Sequence, residues 1–463
     1  MWWKDAEETG DTSAGGGSAA TSSPSLPTVI VTAERPAIAQ EGDSVTVLVR
    51  VQAPAVPSEP SGTAAGRKPM HLALVVDRSG SMDGEPLREA LRCVEYIVTH
   101  LRPEDKAGVV VYDDKVQTLV PLSPARDRTR FLPALRGVRS GGSTALHAGW
   151  MQGAELLAPH TDAASLSRVL LLSDGQANAG LTDVDEIASQ CRALAGAGVS
   201  TTTVGLGRGF NEDLMIAMAR SGEGQTYYGQ TAEDLHDSFQ SELSLLQSLY
   251  ARHLTARLVP GPGVIVEALS VAAVAADAPV PLSDLSYDAE VFLLLRLTVA
   301  PRPTGEPDAA LLSVTVQGHF VEGGSGGRFE TPPTLLQLPV LPRAAVERLP
   351  LDALVVQRSI EIQTANYFDE VRSALRRGDR RAAAVVLESA RALAADHEWA
   401  RDSVTALTAL MEQDEEMAKK ELQYKSRKFR ARQASPYEAE PSAAPASAPI
   451  PAFLRRKSEE GKK

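Results

Sequence analysis

The stretch HLALVVDRSGSM occupies residues 71–82. Its first half is an apolar run too short for a helix and lacking the alternation of a half-exposed strand, which marks a strand covered on both faces. At Asp77 the chain turns polar, and Asp77, Ser79 and Ser81 fall into a D-x-S-x-S spacing. A segment with helical periodicity follows at 86–101. Similar runs recur downstream: GVVVYD (108–113), RVLLLSD (168–174), VSTTTVGLG (199–207) and QTYYGQ (225–230). Amphipathic stretches at 145–157, 184–197 and 233–249 lie between and after them. Apolar strands alternating with helices predict an α/β unit over residues 70–250, built on a doubly wound, mostly parallel sheet. Residues 115–120 read as a short hairpin strand at one edge.

Three of these runs end in carboxylates, Asp77, Asp113 and Asp174; Asp77 and Asp174 stand at the C-terminal ends of buried parallel strands, where open α/β sheets bind ligands. Between them a Gly-Gly-Ser-Thr loop sets Thr144 just ahead of a helix. The donors Asp77, Ser79, Ser81, Thr144 and Asp174 are all oxygens and suit a hard cation. Mg²⁺ takes about six such ligands and keeps some of its water, and Mn²⁺ or Ca²⁺ accept the same donor types. Only two of the five are charged, so the ion stays electrophilic toward a carboxylate from outside.

With these residues the chain resembles the von Willebrand factor A family. Its metal-ion-dependent adhesion site has the pattern D-x-S-x-S, a distant Thr and a distant Asp, and all five positions match. The flanking LALVVDRSGSM and VLLLSDGQAN are also of the family's type. The resemblance implies metal ligation by Asp77, Ser79, Ser81, Thr144 and Asp174, directly or through water. It also implies a protein partner that presents an Asp or Glu carboxylate to the metal. The order of regions is similar to cytoplasmic regulatory A-domain proteins of archaea and bacteria and, more distantly, to vesicle-coat trunk subunits, which implies a scaffold.

At 463 residues the chain exceeds one ordinary core, so further units are expected. Residues 1–27 are rich in Gly, Ser and Thr and read as disordered. Strands at 28–33 and 44–51 form the first part of a β-sandwich over 28–55, followed by a Pro/Ser/Gly linker to residue 68. The remainder of the sandwich spans 251–343, in strands such as LTARLVP, VIVEALSV and EVFLLLRLTVA. The early strands lack partners of their own, so the α/β unit is expected to be inserted in the sandwich. Helical spacing at 352–376, 380–395 and 401–424 predicts a small bundle over 350–428, and 429–463 reads as a disordered tail.

A net charge of −12 argues against nucleic-acid binding, which needs excess Lys and Arg. No apolar run approaches the ~20 residues of a membrane span; the longest, 291–300, is interrupted by Arg296. The first residues carry acids and glycines where a signal peptide needs an apolar stretch. Cys93 and Cys191 sit among apolar residues and read as separate buried thiols. The expectation is a cytoplasmic regulatory or scaffold protein in signalling that recruits an acidic partner and is not an enzyme. A secreted adhesion or channel-regulator-like protein is the alternative. A metal-dependent hydrolase fits less well: Ser79 stands where an aspartyl-phosphate phosphatase would carry a second Asp, and His147 has no paired acid nearby.

Weaker signals have simpler readings. Residues 205–209 read as a strand-to-helix turn capped by Asn211, not as a phosphate loop. Arg377-Gly378-Asp379 reads as a helix stop followed by a helix cap. Asp113-Asp114 reads as a solvated turn near the site, and Asp83 and Glu85 as acids that offset the positive end of the first helix. The basic stretch 419–432 reads as a solvated helix end. Ser435 and Ser458 in the tail would be open to a kinase and, once modified, to a phosphate-reading partner.

Overall fold

The computed structural model describes residues 25–56, 68–161, 165–207, 209–229, 232–271, 278–303, 309–321 and 327–430. Most of the expected disordered N-terminus, linker and tail, together with Arg208, Ser435 and Ser458, lies outside these residues.

Three strands come first: β1 (Thr28–Ala33), β2 (Ile38–Ala39) and β3 (Asp43–Gln52). The α/β unit then begins with β4 (Met70–Asp77), α1 (Glu85–His100), β5 (Lys106–Tyr112), β6 (Val116–Pro124), α2 (Arg128–Arg136) and α3 (Leu146–Leu157). It continues through β7 (Leu166–Ser173), α4 (Val184–Gly196), β8 (Val199–Leu206), α5 (Glu212–Ser221), β9 (Thr226–Gly229) and α6 (Ala232–Gln247). Its six strands lie in the order β6-β5-β4-β7-β8-β9. All neighbours are parallel except β5 and β6.

Every residue of β4, β7 and β8 is buried. In β4 and β7 this gives the apolar runs 72–76 and 169–172, while in β8 the buried hydroxyls of Ser200, Thr201, Thr202 and Thr203 are hydrogen-bonded. One sheet face packs Leu72, Leu74 and Val76 against α1, α2 and α6. The other packs Ala73, Val75 and Val110 against α3, α4 and α5. Gly149 and Gly153 let α3 lie close to the sheet. A Cβ on either would stand 2.4 Å from the Tyr112 ring or from Val75. From β4 the chain steps outward to β5 and β6, then returns through α3 to β7 on the other side of β4. That reversal leaves a crevice at the C-terminal ends of β4 and β7.

The strands that follow are β10 (Leu249–Pro260), β11 (Val264–Ala268), β12 (Val280–Pro281), β13 (Leu285–Ser286) and β14 (Glu290–Val299). They are completed by β15 (Ala309–Phe320), β16 (Arg328–Glu330), β17 (Thr334–Leu338) and β18 (Val340–Leu341). One sheet has the order β1-β3-β14-β11 and the other β12-β10-β15-β16, with β13 on β10 and β17 on β15. β3 pairs with β14 from Asp43↔Val299 to Gln52↔Glu290. The α/β unit is thus inserted between two strands of one antiparallel sheet.

Five helices end the described chain: α7 (Arg343–Val346), α8 (Ala353–Arg376), α9 (Arg380–Leu393), α10 (Glu398–Gln413) and α11 (Glu415–Arg430). The single helix expected over 401–424 is corrected to two. Asp414 leaves the helical region with φ −153° and ψ 96°. Its N–H closes α10 on the Leu410 carbonyl, and its own carbonyl accepts from Ala418 to start α11. At 24 residues α8 is about 36 Å long. Its first half, through Val355 and Ile362, covers Leu48, Phe292 and Leu294 on the outer face of the sandwich. That cover explains why β14 is buried almost throughout. The second half, with Phe368 and Val371, forms the bundle core.

The other end of the α/β sheet is tied to the sandwich by a buried charge network. Arg168, near the start of β7, donates to Glu242 of α6 at 2.7 Å and to Ser200 at 2.9 Å. It also lies 3.5 Å from Asp284, just before β13. Glu242 further accepts from Thr202 at 2.8 Å and Tyr227 at 3.0 Å. Glu242→Ala would strand a buried guanidinium, so a loss of about 3–5 kcal/mol is expected in chemical denaturation. A loss under about 1 kcal/mol would show that Asp284 and solvent already satisfy Arg168.

Candidate metal centre

The crevice between β4 and β7 gathers all five sequence-expected residues. Asp77 is the last residue of β4 and fully buried. One of its carboxylate oxygens accepts from the Ser79 N–H at 2.8 Å, which folds the D-x-S-x-S turn back on itself. The other accepts from the Ser173 hydroxyl at 2.7 Å and faces the Tyr112 hydroxyl at 3.4 Å. The Ser79 and Ser81 hydroxyls are 3.2 Å apart, and Ser81 donates to Asp174 at 2.8 Å.

Thr144 enters from the loop before α3. Its N–H donates to the Asn178 side chain at 2.8 Å, and the Asn178 N–H returns a bond to the Thr144 carbonyl at 3.2 Å. A Cβ placed on Gly175 would stand 3.2 Å from the Thr144 hydroxyl and 3.4 Å from that of Ser81. The two hydroxyls therefore face one small space beside Gly175. Gly142, at φ +75°, shapes the same loop: a Cβ there would stand 2.2 Å from an Asp114 carboxylate oxygen.

Asp113 departs from its expectation. It is buried, not a solvated turn, because Arg78 reaches it at 3.0 Å and the Lys115 N–H donates to it at 2.7 Å. Its carbonyl accepts from Ala145 at 2.9 Å, tying β5 to the Thr144 loop. Asp83 also differs. It lies before α1 and accepts from Ser140 of the glycine-rich loop. Asn211 caps α5, and Asp379 caps α9 behind Gly378 at φ +75°. Cys93 and Cys191 are buried free thiols. The supports that sequence reasoning missed are Ser173, Tyr112 and Asn178. The only hint of them was their closeness to the motif residues, since a hydroxyl or amide on a strand end carries no signature of its own.

The electrostatics fit a cation. Burial raises the Asp77 carboxyl above the usual carboxylate range. Burial, helped by the nearby Asp77 charge, pushes Asp174 up to about 6, against the opposing hydrogen bond from Ser81. Among the described residues neither carboxylate is ion-paired with Lys, Arg or His, and Arg78 is engaged with Asp113. Three hydroxyls beside two uncompensated carboxylates match the donor chemistry of Mg²⁺, Mn²⁺ or Ca²⁺. Among the described residues no group of three or more His, Cys, Asp or Glu offers another metal centre.

Residues 71–241 match the von Willebrand factor type A domain. This chain carries an A domain. Such domains typically hold a divalent metal at the adhesion-site motif and bind protein ligands. Over 345 residues the chain is 26% identical to an uncharacterized protein of Synechocystis sp., covering 70% of this chain and 78% of that one. Two further curated relatives are covered over only 35% and 20% of their length. The fold is shared with the von Willebrand factor type A protein of Catenulispora acidiphila, with a TM-score of 0.65 at 16% identity, over 83% of this chain and 90% of that one. It is shared also with the ArnB paralog VWA2 of Sulfolobus acidocaldarius, with a TM-score of 0.55 at 17% identity, over 87% and 98%. The A domain, the added antiparallel sheets and the C-terminal helices thus form an architecture found in bacteria and archaea.

The raised Asp174 carboxyl sets a sign that can be measured. Unfolded, it titrates near ~3.9; folded and metal-free, near 6. Its contribution to stability is therefore fully present below ~4 and lost as pH rises through 6. A bound divalent ion holds the carboxylate ionised and reverses this. The rise in melting temperature produced by saturating Mg²⁺ over EDTA is expected to shrink as pH falls from 7 to 5. A rise independent of pH would place the ion elsewhere.

Proposed function

We propose that this chain is a metal-dependent protein-binding module, a cytoplasmic regulatory or scaffold protein that recruits an acidic partner through Mg²⁺ and catalyses no reaction. The observation that carries this reading is the donor balance. Two carboxylates and three hydroxyls leave the ion with attraction for a further oxygen anion, and Ser81 opens the site to solvent. Asp77, Ser79, Ser81, Thr144 and Asp174 would hold the ion, which would supply Lewis acidity toward a partner's Asp or Glu. Binding rather than catalysis is supported by the neighbouring His147, whose Nε2 lies 2.8 Å from the Gln190 side-chain oxygen and whose ring sits beside Trp150. Cytoplasmic residence is supported by the two separate thiols.

The test is retention of a soluble library of Asp- and Glu-bearing peptides by the immobilised full chain, in Mg²⁺ and in EDTA. Carboxylate-dependent retention in Mg²⁺ only, lost in Asp77→Ala, is expected. Equal retention in EDTA, or by the variant, would remove the reading.

A further inference from the structure

Over its described residues, 419–430, the basic stretch is not a solvated helix end. Lys419 pairs with Glu415 and Glu416, and Arg430 reaches Asp369 at 2.8 Å. Lys420 does something different. It leaves its own bundle and donates at 3.1 Å to the carbonyl of Phe210, in the loop between β8 and α5. Its ammonium also sits 4.0 Å from the centre of the Phe210 ring. Both residues are buried, and burial holds the lysine below its ordinary range.

Phe210 is fixed from the other side as well. A Cβ on Gly205, near the end of β8, would stand 2.5 Å from its ring, so the ring is held between Gly205 and Lys420. One residue earlier the loop meets the metal centre. A Cβ on Gly209 would stand 2.7 Å from the Asp174 carbonyl oxygen, and Gln176 donates to the Gly209 carbonyl at 2.7 Å. Gly209 is thus in backbone contact with a residue of the candidate metal set, while its neighbour Phe210 is clamped by α11. Arg376 of α8 steadies the same docking through Glu212 at 3.0 Å and Asp213 at 3.0 Å.

We propose that Lys420 is a positioning residue for the metal centre, acting through Phe210 and Gly209 on Asp174, so that docking of the C-terminal helices sets the site's affinity. This rests on the metal-binding reading above. A buried ammonium bonded to a backbone carbonyl and stacked on a ring is costly to displace. The loop it holds therefore has one favoured position against Asp174. Coupling between two sites is reciprocal: what the helices do for the ion, the ion does for the helices.

The experiment is calorimetric titration of Mn²⁺ into the full chain, as wild type, Lys420→Met and Lys420→Arg. Lys420→Met keeps the apolar stem and loses the donor, and is expected to weaken Mn²⁺ binding roughly fivefold or more. Lys420→Arg, which can still donate to the Phe210 carbonyl, should recover most of that loss. A purely structural role would instead lower the melting temperature of Lys420→Met with Mn²⁺ affinity unchanged, and that result overturns the proposal. If Lys420→Met does not fold, wild-type amide exchange decides. Mn²⁺ should slow exchange in α11 around Lys420, and unchanged exchange there overturns the coupling. Failure of the wild type to bind Mn²⁺ would sink the metal-binding reading itself. Wild-type binding matched by Lys420→Met would sink only the role of Lys420.

Discussion

Replacing Asp77 with alanine is expected to lower divalent-metal affinity about 100-fold or more and to abolish the thermal stabilisation by Mg²⁺. Loss of an outer hydrogen-bonding partner of a metal ligand already costs ~10–100-fold, and this change removes one of only two charges in the donor set. It also strands the Ser79 N–H and the Ser173 hydroxyl that donate to the carboxylate, while the Tyr112 hydroxyl keeps the Leu172 carbonyl. Each stranded buried donor costs on the order of 1–3 kcal/mol. That loss is partly offset because a buried, unpaired carboxylate no longer has to be ionised. The metal-free variant should therefore stay folded while losing its response to the ion, since binding stabilises only where it favours the native state. Titration calorimetry beside thermal melts in Mg²⁺ and EDTA separates the two effects. Equal affinity in Asp77→Ala and wild type would show that the ion is not held at the end of β4.

Removing everything before Met70 is expected to have the largest effect on stability. β3 pairs with β14 along its whole length and with β1 on its other side. Without it β14 is left with only β11 beside it. Its apolar residues Leu293, Leu295 and Leu297 also lose Val45, Val47 and Val49 from the shared core. Beneath α8, Leu294 and Phe292 lose Leu48. An uncovered apolar strand edge is a template for aggregation. The truncated chain should be insoluble, or should unfold in its sandwich while the A domain keeps its helical signal. A chain beginning at Met70 that is as soluble and as stable as the whole would mean that the two sheets close without β1 and β3.

Which features were legible in the sequence follows from the range of the interactions behind them. The α/β unit was legible because burial on both faces writes itself into unbroken apolar runs such as 72–76 and 169–172. The five motif positions were legible because backbone turns fix them relative to strand ends. Asn178 was not: it acts on the peptide group of Thr144, 34 residues away, and nothing in a lone Asn announces its partner. Asp113 looked solvated beside Asp114, and only the fold brings Arg78 over it. The break at Asp414 was missed because apolar spacing continues on both sides of it. The basic stretch looked like surface because the partners of Lys420 and Arg430, which are Phe210, Asp369 and Asn366, are 61 or more residues away in sequence.

The insertion also orders events on the ribosome. Gln52 and Glu290 are 238 residues apart. At ~5–20 residues per second, β1 and β3 are synthesised about 10–50 s before β14 is made. During that interval the two strands can pair only with each other, a hairpin that is marginal alone. The A domain can complete itself in the same interval, because its own strands and helices follow one another directly. Once folded, it replaces a long flexible loop with a compact body, so less chain entropy is lost when β3 and β14 finally meet. The intervening domain thus acts as a clasp that the nascent chain makes for itself, and a chaperone that shields early strand edges would have its longest task on residues 28–52.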